Sequence, residues 1–451
     1  MADETKKSMY NGGSAGVLYT DRRDFYVSPQ VVKELWTDVA PFTTVISNRE
    51  TRKVPDPIFK MFEHRNPWVK QRCDMSNDAG TIPDNDTGLG GITVDGIKGL
   101  AGAPSTPDDS WVGLVFEIWN SDEDTNRGTA VVTAVSSGEL TMKSLANGTI
   151  AIANNDVMHV VGNAQGEGMT APESWADELQ VVYNSSQIFK TPLQITGTLL
   201  AASLRGEASE LARLRAQKNQ EHKMQKEKSF LFGQRDSGTG LGESAYDAGN
   251  KASNVDETFA DDGRTDTAGN VIRSTYGIVS ALNKYGETGS YDYQNVFSIS
   301  EATYTYNSFV DDMEKVFQYV PEAGVKRAFC GAGALGYWSK MAGAEGIAGS
   351  SGWTVNLSDM RRDSLGFNYK VLETPHGILQ LIPTPALRGP YNKYMLVVSE
   401  ENLFHAQYRS PMYQTNIKTD NAFDGVKDQY FSDEGVGISL IESHHLFKVT
   451  D

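Results

Sequence analysis

The residues best spaced for chemistry lie in KRAFCGAGALGYW, Lys326 to Trp338. An apolar segment, Val325 to Cys330, runs into Gly331, Gly333 and Gly336 at the G-x-G-x-x-G spacing, and a helix-like run follows from Tyr337 to Ala342. Glycines so placed let a backbone approach a pyrophosphate at a helix N-terminus, the chemistry of a dinucleotide site. Such a site also needs a strand–helix–strand unit and an acid about 20 residues on to hold a ribose. Asp359 lies near that distance, but it follows a strand-like WTVNL interrupted upstream by GAEGIAGSSG. Beyond it, FNYKVLETPHGILQLIPTP reads as antiparallel strands rather than a further βα repeat. With 43 glycines in the chain, the spacing alone is a weak signal. An oxidoreductase using Gly331 to Gly336 stays open as an alternative, and it implies nucleotide binding that Gly333→Asp abolishes.

Other reactive groupings are poorer. Asp122, Asp124 and Asn126 have Ca²⁺-loop spacing, but Arg127 stands where that loop needs glycine and Thr133 where it needs glutamate. His444 and His445 are adjacent, so on a strand they point to opposite faces, and the other histidines are scattered. HExxH, Walker A and G-x-S-x-G patterns are absent, and no pair of carboxylates stands out as acid and base. Asn147-Gly148-Thr149 reads as a turn. No catalytic, cofactor or metal residue is assigned.

The elements that would position any site follow from composition and pattern. The chain has 451 residues, 39% hydrophobic and 10% aromatic, enough for a packed core over two or three domains. A formal charge of −17 argues against a basic nucleic-acid clamp. Cys73 and Cys330 are the only cysteines, which suits a reducing cytoplasm and excludes a disulfide scaffold. The N-terminus, MADETKKSMYNGG, lacks the apolar core of a secretory signal, and no run is long enough to cross a bilayer. These features predict a soluble protein made in the cytoplasm.

Residues 1 to about 27 are polar and predict a loosely held arm, followed from Ser28 by a short helix that stops before Pro41. From Arg49 to Gly197 helix signal is scarce. Residues 74 to 110 are turn-rich, then WVGLVFEIW alternates with Val112, Leu114, Phe116 and Ile118 on one face. Short strands separated by turns continue to about 163 and predict a small β-barrel or sandwich. Helix signal returns in GEASELARLRAQKNQEHKMQKEKSFLFG, with Glu207 and Glu210 in the first turn, Lys226 and Lys228 in the last, and Gly233 as a stop. About 26 residues give a rod on the order of 40 Å. Between Gln217 and Lys223 it has no large apolar side chain, so it must lie across a surface or be completed by another chain. A Gly- and Ser-rich stretch runs to about 270, and an α/β pattern fills the remainder.

The block TPLQITGTLLAASLRGEASELARLRAQKNQEHKMQKEKSFLFG resembles the spine-helix region of tailed-phage major capsid proteins of the Hong Kong 97-like fold. The turn is Thr196-Gly197-Thr198, and the helix pattern is met by Glu210-Leu211, Gln217-Lys218, Glu221, Glu227, Leu231 and Gly233. VAPFTTVISNRETRKVPDPIFKMFEHR is similar to that group's N-terminal lead, IANNDVMHVVGNAQGEG to the exit of its β insertion, and DEGVGISLIESHHLFKV more loosely to its end.

The resemblance implies an α+β fold in which identical copies complete one another. Its expected parts are an N-terminal arm (1–50), an extended loop (51–109 and 164–198) around an inserted β domain (110–163), and a peripheral domain with the spine helix (199–270, helix about 207–232). An axial α/β domain (271–425) and C-terminal strands returning to the peripheral domain (426–451) complete it. The implied function is a structural one: the major capsid protein of a tailed double-stranded DNA phage, assembled in the host bacterial cytoplasm into hexamers and pentamers of an icosahedral virion shell. Scaffold and portal proteins, cement proteins and the packaged DNA are the implied partners, and no membrane or cofactor is. A cellular encapsulin-like compartment shell is the alternative within the fold. Glu210, Arg213, Arg215, Lys218 and Glu221 form the expected inter-subunit helix face, against the plainer reading of a solvated one.

Overall fold

The computed structural model describes residues 40–63, 73–75, 80–84, 88–95, 107, 109–122, 124–154, 156–168, 180–202, 209–234, 264–265, 271–286, 294–318, 324–344, 361–362, 368–417 and 424–450. The expected arm, the helix from Ser28, Asp359 and most of the Gly-rich stretch after Gly233 lie outside these residues.

Two compact units emerge. The larger comprises Val39–Lys190, His222–Met412 and Phe431–Asp451. Its main sheet has seven strands in the order Val296–Ser300, His445–Thr450, Tyr394–Val398, Val325–Cys330, Ile378–Pro383, Asn368–Glu373 and Arg361–Arg362. The first two pair in parallel, as do Val325–Cys330 and Ile378–Pro383, and the other pairings are antiparallel. Successive side chains leave opposite faces of a strand, so each central strand feeds two cores. Ala328, Cys330, Met395 and Val397 pack with Phe309, Met313 and Val316 of helix α5 (Tyr306–Phe317) and Trp338 of helix α6 (Ala332–Ala344). Phe329, Leu396 and Val398 face the other way. There they meet Phe42 and Val45 of α1 (Pro41–Arg49), Phe230 and Leu231 near the end of α3 (Glu210–Phe232), and Ile278 and Leu282 of α4 (Ile278–Tyr285). Each fully buried large side chain contributes about 1.5–3 kcal/mol.

The expected helix from Ser28 lies outside the described residues, and a helix the sequence pattern did not show, α1, begins at Pro41. Pro41 sits in the first turn, where its missing N–H costs nothing. A carboxylate from residue 227, remote in sequence, completes that turn.

A second seven-stranded sheet has the order Leu89–Ile92, Glu139–Ser144, Asn126–Ser136, Leu114–Trp119, Val157–Asn163, Cys73–Met75 and Val94–Asp95. Gly80–Ile82 pairs with Ile150–Ile152 beside it. Phe116, Ile118, Val132, Leu140 and Met142 fill its own core. Four of these strands come from the stretch that read as turns. They are too short to alternate visibly, and Gly88 and Gly91 adopt φ of 66° and 80° around one of them.

The smaller unit contains Thr191–Glu221 and Tyr413–Tyr430, together with Met1–Asp38. Helix α2 (Gly197–Ala201) opens on Thr196, whose hydroxyl accepts from Leu199 N–H at 3.4 Å. Gly197 N–H donates to the Asp424 carbonyl at 3.1 Å, and a Cβ there would lie 2.6 Å from the Asp424 carboxylate. Helix α3 is capped by Ser209, which accepts from Ala212 N–H at 3.4 Å, and 23 residues make a rod of about 35 Å.

Candidate assembly surface

The Gly331–Gly336 turn is already filled. Helix α6 starts at Ala332, earlier than the sequence pattern showed, and Asn392 occupies its N-terminal end. Gly333 N–H donates to Asn392 Oδ1 at 3.1 Å and Ala334 N–H to the Asn392 carbonyl at 3.1 Å. A Cβ on Gly331 would collide with that carbonyl. The Gly333 and Ala334 amides a pyrophosphate would need are spent on Asn392, and Gly331 and Gly333 serve close packing there, whereas a Cβ on Gly336 would meet nothing within 4 Å.

The remaining chemical groupings are structural as well. His222 Nε2 lies 3.0 Å from Ser432 Oγ, nucleophile–base spacing, but both residues are buried and burial holds the imidazole down to about 4. Among the described residues no three His, Cys, Asp or Glu side chains come together to hold a metal ion. Asn120 takes Asp124 and Thr125 amides in a turn, with strand from Asn126 onward.

The charged helix face divides into two arrangements. Arg213 pairs with Glu210 three residues earlier, and that guanidinium holds the Glu210 carboxyl below the usual range. Lys218 pairs with Glu221 at 2.7 Å. These pairs run along the helix. Arg215 instead reaches Asp428 at 2.8 Å, a carboxylate with no exposed surface. Asp428 also accepts from Tyr413 Oη and from Asn416 N–H at 2.8 Å, while Tyr430 Oη donates to the Arg215 carbonyl at 3.1 Å. Burial pushes the Asp428 carboxyl up, but those donors outweigh it and hold it below its ordinary value. Tyr413, desolvated and beside that carboxylate, is pushed up to about 12. Arg215 therefore belongs to the smaller unit's own framework.

From Glu210 to Glu221 no side chain of α3 is buried, and Leu211 and Leu214 are only half covered. Leu199 and Leu200 of the same unit stand 39% and 42% exposed. From His222 onward the helix is buried by polar residues with specific partners, which the sequence did not reveal. Glu227 accepts Phe42 N–H at 3.0 Å, Thr43 N–H at 2.7 Å and the Thr43 hydroxyl at 2.6 Å, closing the first turn of α1. Lys226 donates to Glu434 at 3.0 Å, and His405 Nε2 lies 3.4 Å from the same oxygen. An "E…KE" spacing shows a helix face, but it cannot show that its partners lie some 200 residues away.

Comparison with known proteins gives one family. The model of the SU10 major capsid protein family matches residues 37–436. No curated protein matches the chain. Among solved structures, the capsid of a native GTA particle is 10% identical, covers 98% of this chain and 100% of its own, and has a TM-score of 0.45. Microbacterium phage Oxtober96 is 10% identical, covering 96% and 98%, with a TM-score of 0.42. The holo-SrpI encapsulin complex from Synechococcus elongatus is 6% identical over 61% of this chain and 77% of its own, with a TM-score of 0.35. With TM-scores below one half, these likenesses carry none of the assignment. On the family match, the chain belongs to the SU10 major capsid protein family, phage shell proteins of the Hong Kong 97-like α+β fold, and is not an enzyme.

Proposed function

We propose that the Glu210–Glu221 face of α3 is where one copy meets the next in the shell. The observation that carries this is the unfinished half of the helix: twelve residues without a buried side chain, carrying Leu211 and Leu214 half open. Glu210, Arg213, Lys218 and Glu221 present alternating charge at that face, and Arg215 braces it from within through Asp428. Copies joined this way form hexamers and pentamers of a closed icosahedral shell around double-stranded DNA. Scaffold, portal and cement proteins and assembly in the host cytoplasm belong to the same reading. So does the division into arm (1–50), extended loop (51–109, 164–198), inserted β domain (110–163), peripheral (199–270) and axial (271–425) domains, and C-terminal strands (426–451).

Charge swaps test it. Glu210→Arg with Arg213→Glu, and Lys218→Glu with Glu221→Lys, keep each intrahelical pair while inverting what a neighbour meets. Subunit stability should change by no more than about 0.5 kcal/mol in denaturant titration, while shell yield in sedimentation falls sharply. Normal shells from both swaps would remove this face from the interface.

A further inference from the structure

Asn147-Gly148, which the sequence shows simply as a turn, lies in the tip joining strand Glu139–Ser144 to strand Ile150–Ile152. Both ends of the tip are fixed. Ser144 N–H donates to the Pro83 carbonyl and Leu145 N–H to the Thr129 carbonyl, each at 2.9 Å, and Ile150 is buried opposite Ile82. Between them Asn147 is exposed, and among the described residues its carboxamide has no hydrogen-bond partner. Gly148 has φ 148°, a conformation that favours glycine, and a Cβ there would meet nothing within 4 Å. Its nitrogen makes one bond, to the Ala146 carbonyl at 2.9 Å, which spans only Asn147 and closes no ladder.

A backbone nitrogen beside a free asparagine carboxamide can attack it, and Asn184 and Asn120 show how a fold prevents this. Asn184 is buried, and its Oδ1 accepts the N–H of the next residue, Ser185, at 2.8 Å, while Nδ2 donates to the Tyr276 and Val436 carbonyls at 3.1 and 2.7 Å. The nitrogen that would attack is tied to the oxygen of the group it would attack, and every polar atom of that group is held. Asn120 Oδ1 accepts Asp124 and Thr125 N–H at 3.0 and 3.1 Å, and its Nδ2 donates to Asp124 Oδ1 at 2.6 Å. Asn147 has no such restraint, and Gly148 brings no side chain to crowd the approach.

We propose that Asn147-Gly148 is a self-modification site, at which the chain rearranges its own backbone in water. The Gly148 amide gives its proton to solvent as its nitrogen attacks Asn147 Cγ. The new N–Cγ bond closes a succinimide ring, the Cγ–Nδ2 bond breaks, and Nδ2 takes up a proton and leaves as ammonia. Water then opens either carbonyl–nitrogen bond of the ring. One opening gives aspartate, and the other gives isoaspartate, in which the backbone runs through the former side chain. The sum is carboxamide plus water to carboxylate plus ammonia, with no change of oxidation state. Each converted copy carries one negative charge beyond −17, placed at this tip. Because Gly148 packs against nothing, the core of Phe116, Ile118, Leu140 and Met142 beneath it stays intact.

Peptide mass spectrometry on the full-length chain tests this, after incubation for days at neutral pH, folded or unfolded in guanidinium. The folded chain's Asn147 peptide should gain one mass unit and split into two chromatographic species, one of them a substrate for an isoaspartyl methyltransferase. Its conversion should run within about threefold of the unfolded rate, because the fold leaves the tip free. Peptides carrying Asn120 and Asn184 should instead be slowed by folding at least about tenfold, since their hydrogen bonds must break first. Asn147→Gln, whose longer side chain closes the ring poorly, should lose the gain. No conversion at Asn147 in the folded chain, or slowing by the fold as great as at Asn184, overturns the proposal.

Discussion

A buried acid persists only where a cation or several donors meet it, and the strand Gly425–Ile438 meets that condition three times. Asp428 takes Arg215, Asp433 takes Arg409 at 3.0 Å, and Glu434 takes Lys226 with His405 alongside. Burial raises the Glu434 carboxyl, yet His405 and Lys226 together hold it below its usual value. Glu227 is the contrasting case: burial drives its carboxyl up against three hydrogen bonds. Glu227→Ala orphans two amides of α1 and should cost about 1–3 kcal/mol in denaturant titration. Basic groups set the pH response. His222 is held down to about 4 and His444 to about 3 by burial, each from 6.5, and Lys326 to about 7 from 10.5. In each case the unfolded chain binds the proton at a pH where the folded chain does not, so stability rises with pH across that interval. Asp428 and Glu434 work in the same direction at acid, since their contribution is lost as pH falls through their lowered values. Glu227 and Asp312, whose carboxyls burial raises, oppose the histidines between acid and neutral pH, so the clean expectation is a climb of denaturation midpoints from pH 7 to 9 that Lys326→Met flattens. A falling profile contradicts these assignments.

At the scale of elements, what the sequence showed was local. The spine helix was marked by Glu210 in its first turn and by Gly233, whose missing Cβ leaves room for the Thr275 carbonyl, whereas Lys226 and Lys228 fall short of the last turn where they were expected. Antiparallel Asn368–Glu373 and Ile378–Pro383 were visible from alternation. Helix α1 was not, because its first turn is completed by Glu227, 185 residues from Phe42. The short strands between Cys73 and Asp95 were hidden too, since two to four residues among glycines carry no period. At the candidate surface the five charges were legible, but the Arg215–Asp428 pair was not, because Asp428 and Tyr413 lie far along the chain. Arg215→Ala should therefore destabilise the subunit itself by about 3 kcal/mol, whereas Arg213→Ala changes it by less than about 1 kcal/mol. Equal losses in thermal unfolding would merge the two roles. Gly331→Ala should likewise cost about 1–3 kcal/mol by forcing a Cβ onto Asn392.

For the molecule as a whole, completeness is the issue. The larger unit buries both faces of its main sheet, as a self-sufficient domain does. By contrast, half a helix without buried side chains, Leu199 and Leu200 half open in the same unit and Phe62 at 72% exposure leave apolar surface that a lone subunit would show to water. A net charge of −17 keeps free copies apart until geometry brings these surfaces together. The decisive measurement is electron microscopy of the purified full-length chain, read across a concentration series alongside sedimentation. Closed angular shells, with hexamers and pentamers as their units, are the expected result. A compact monomer at every concentration, with the Glu210–Glu221 face protected from exchange, would contradict it.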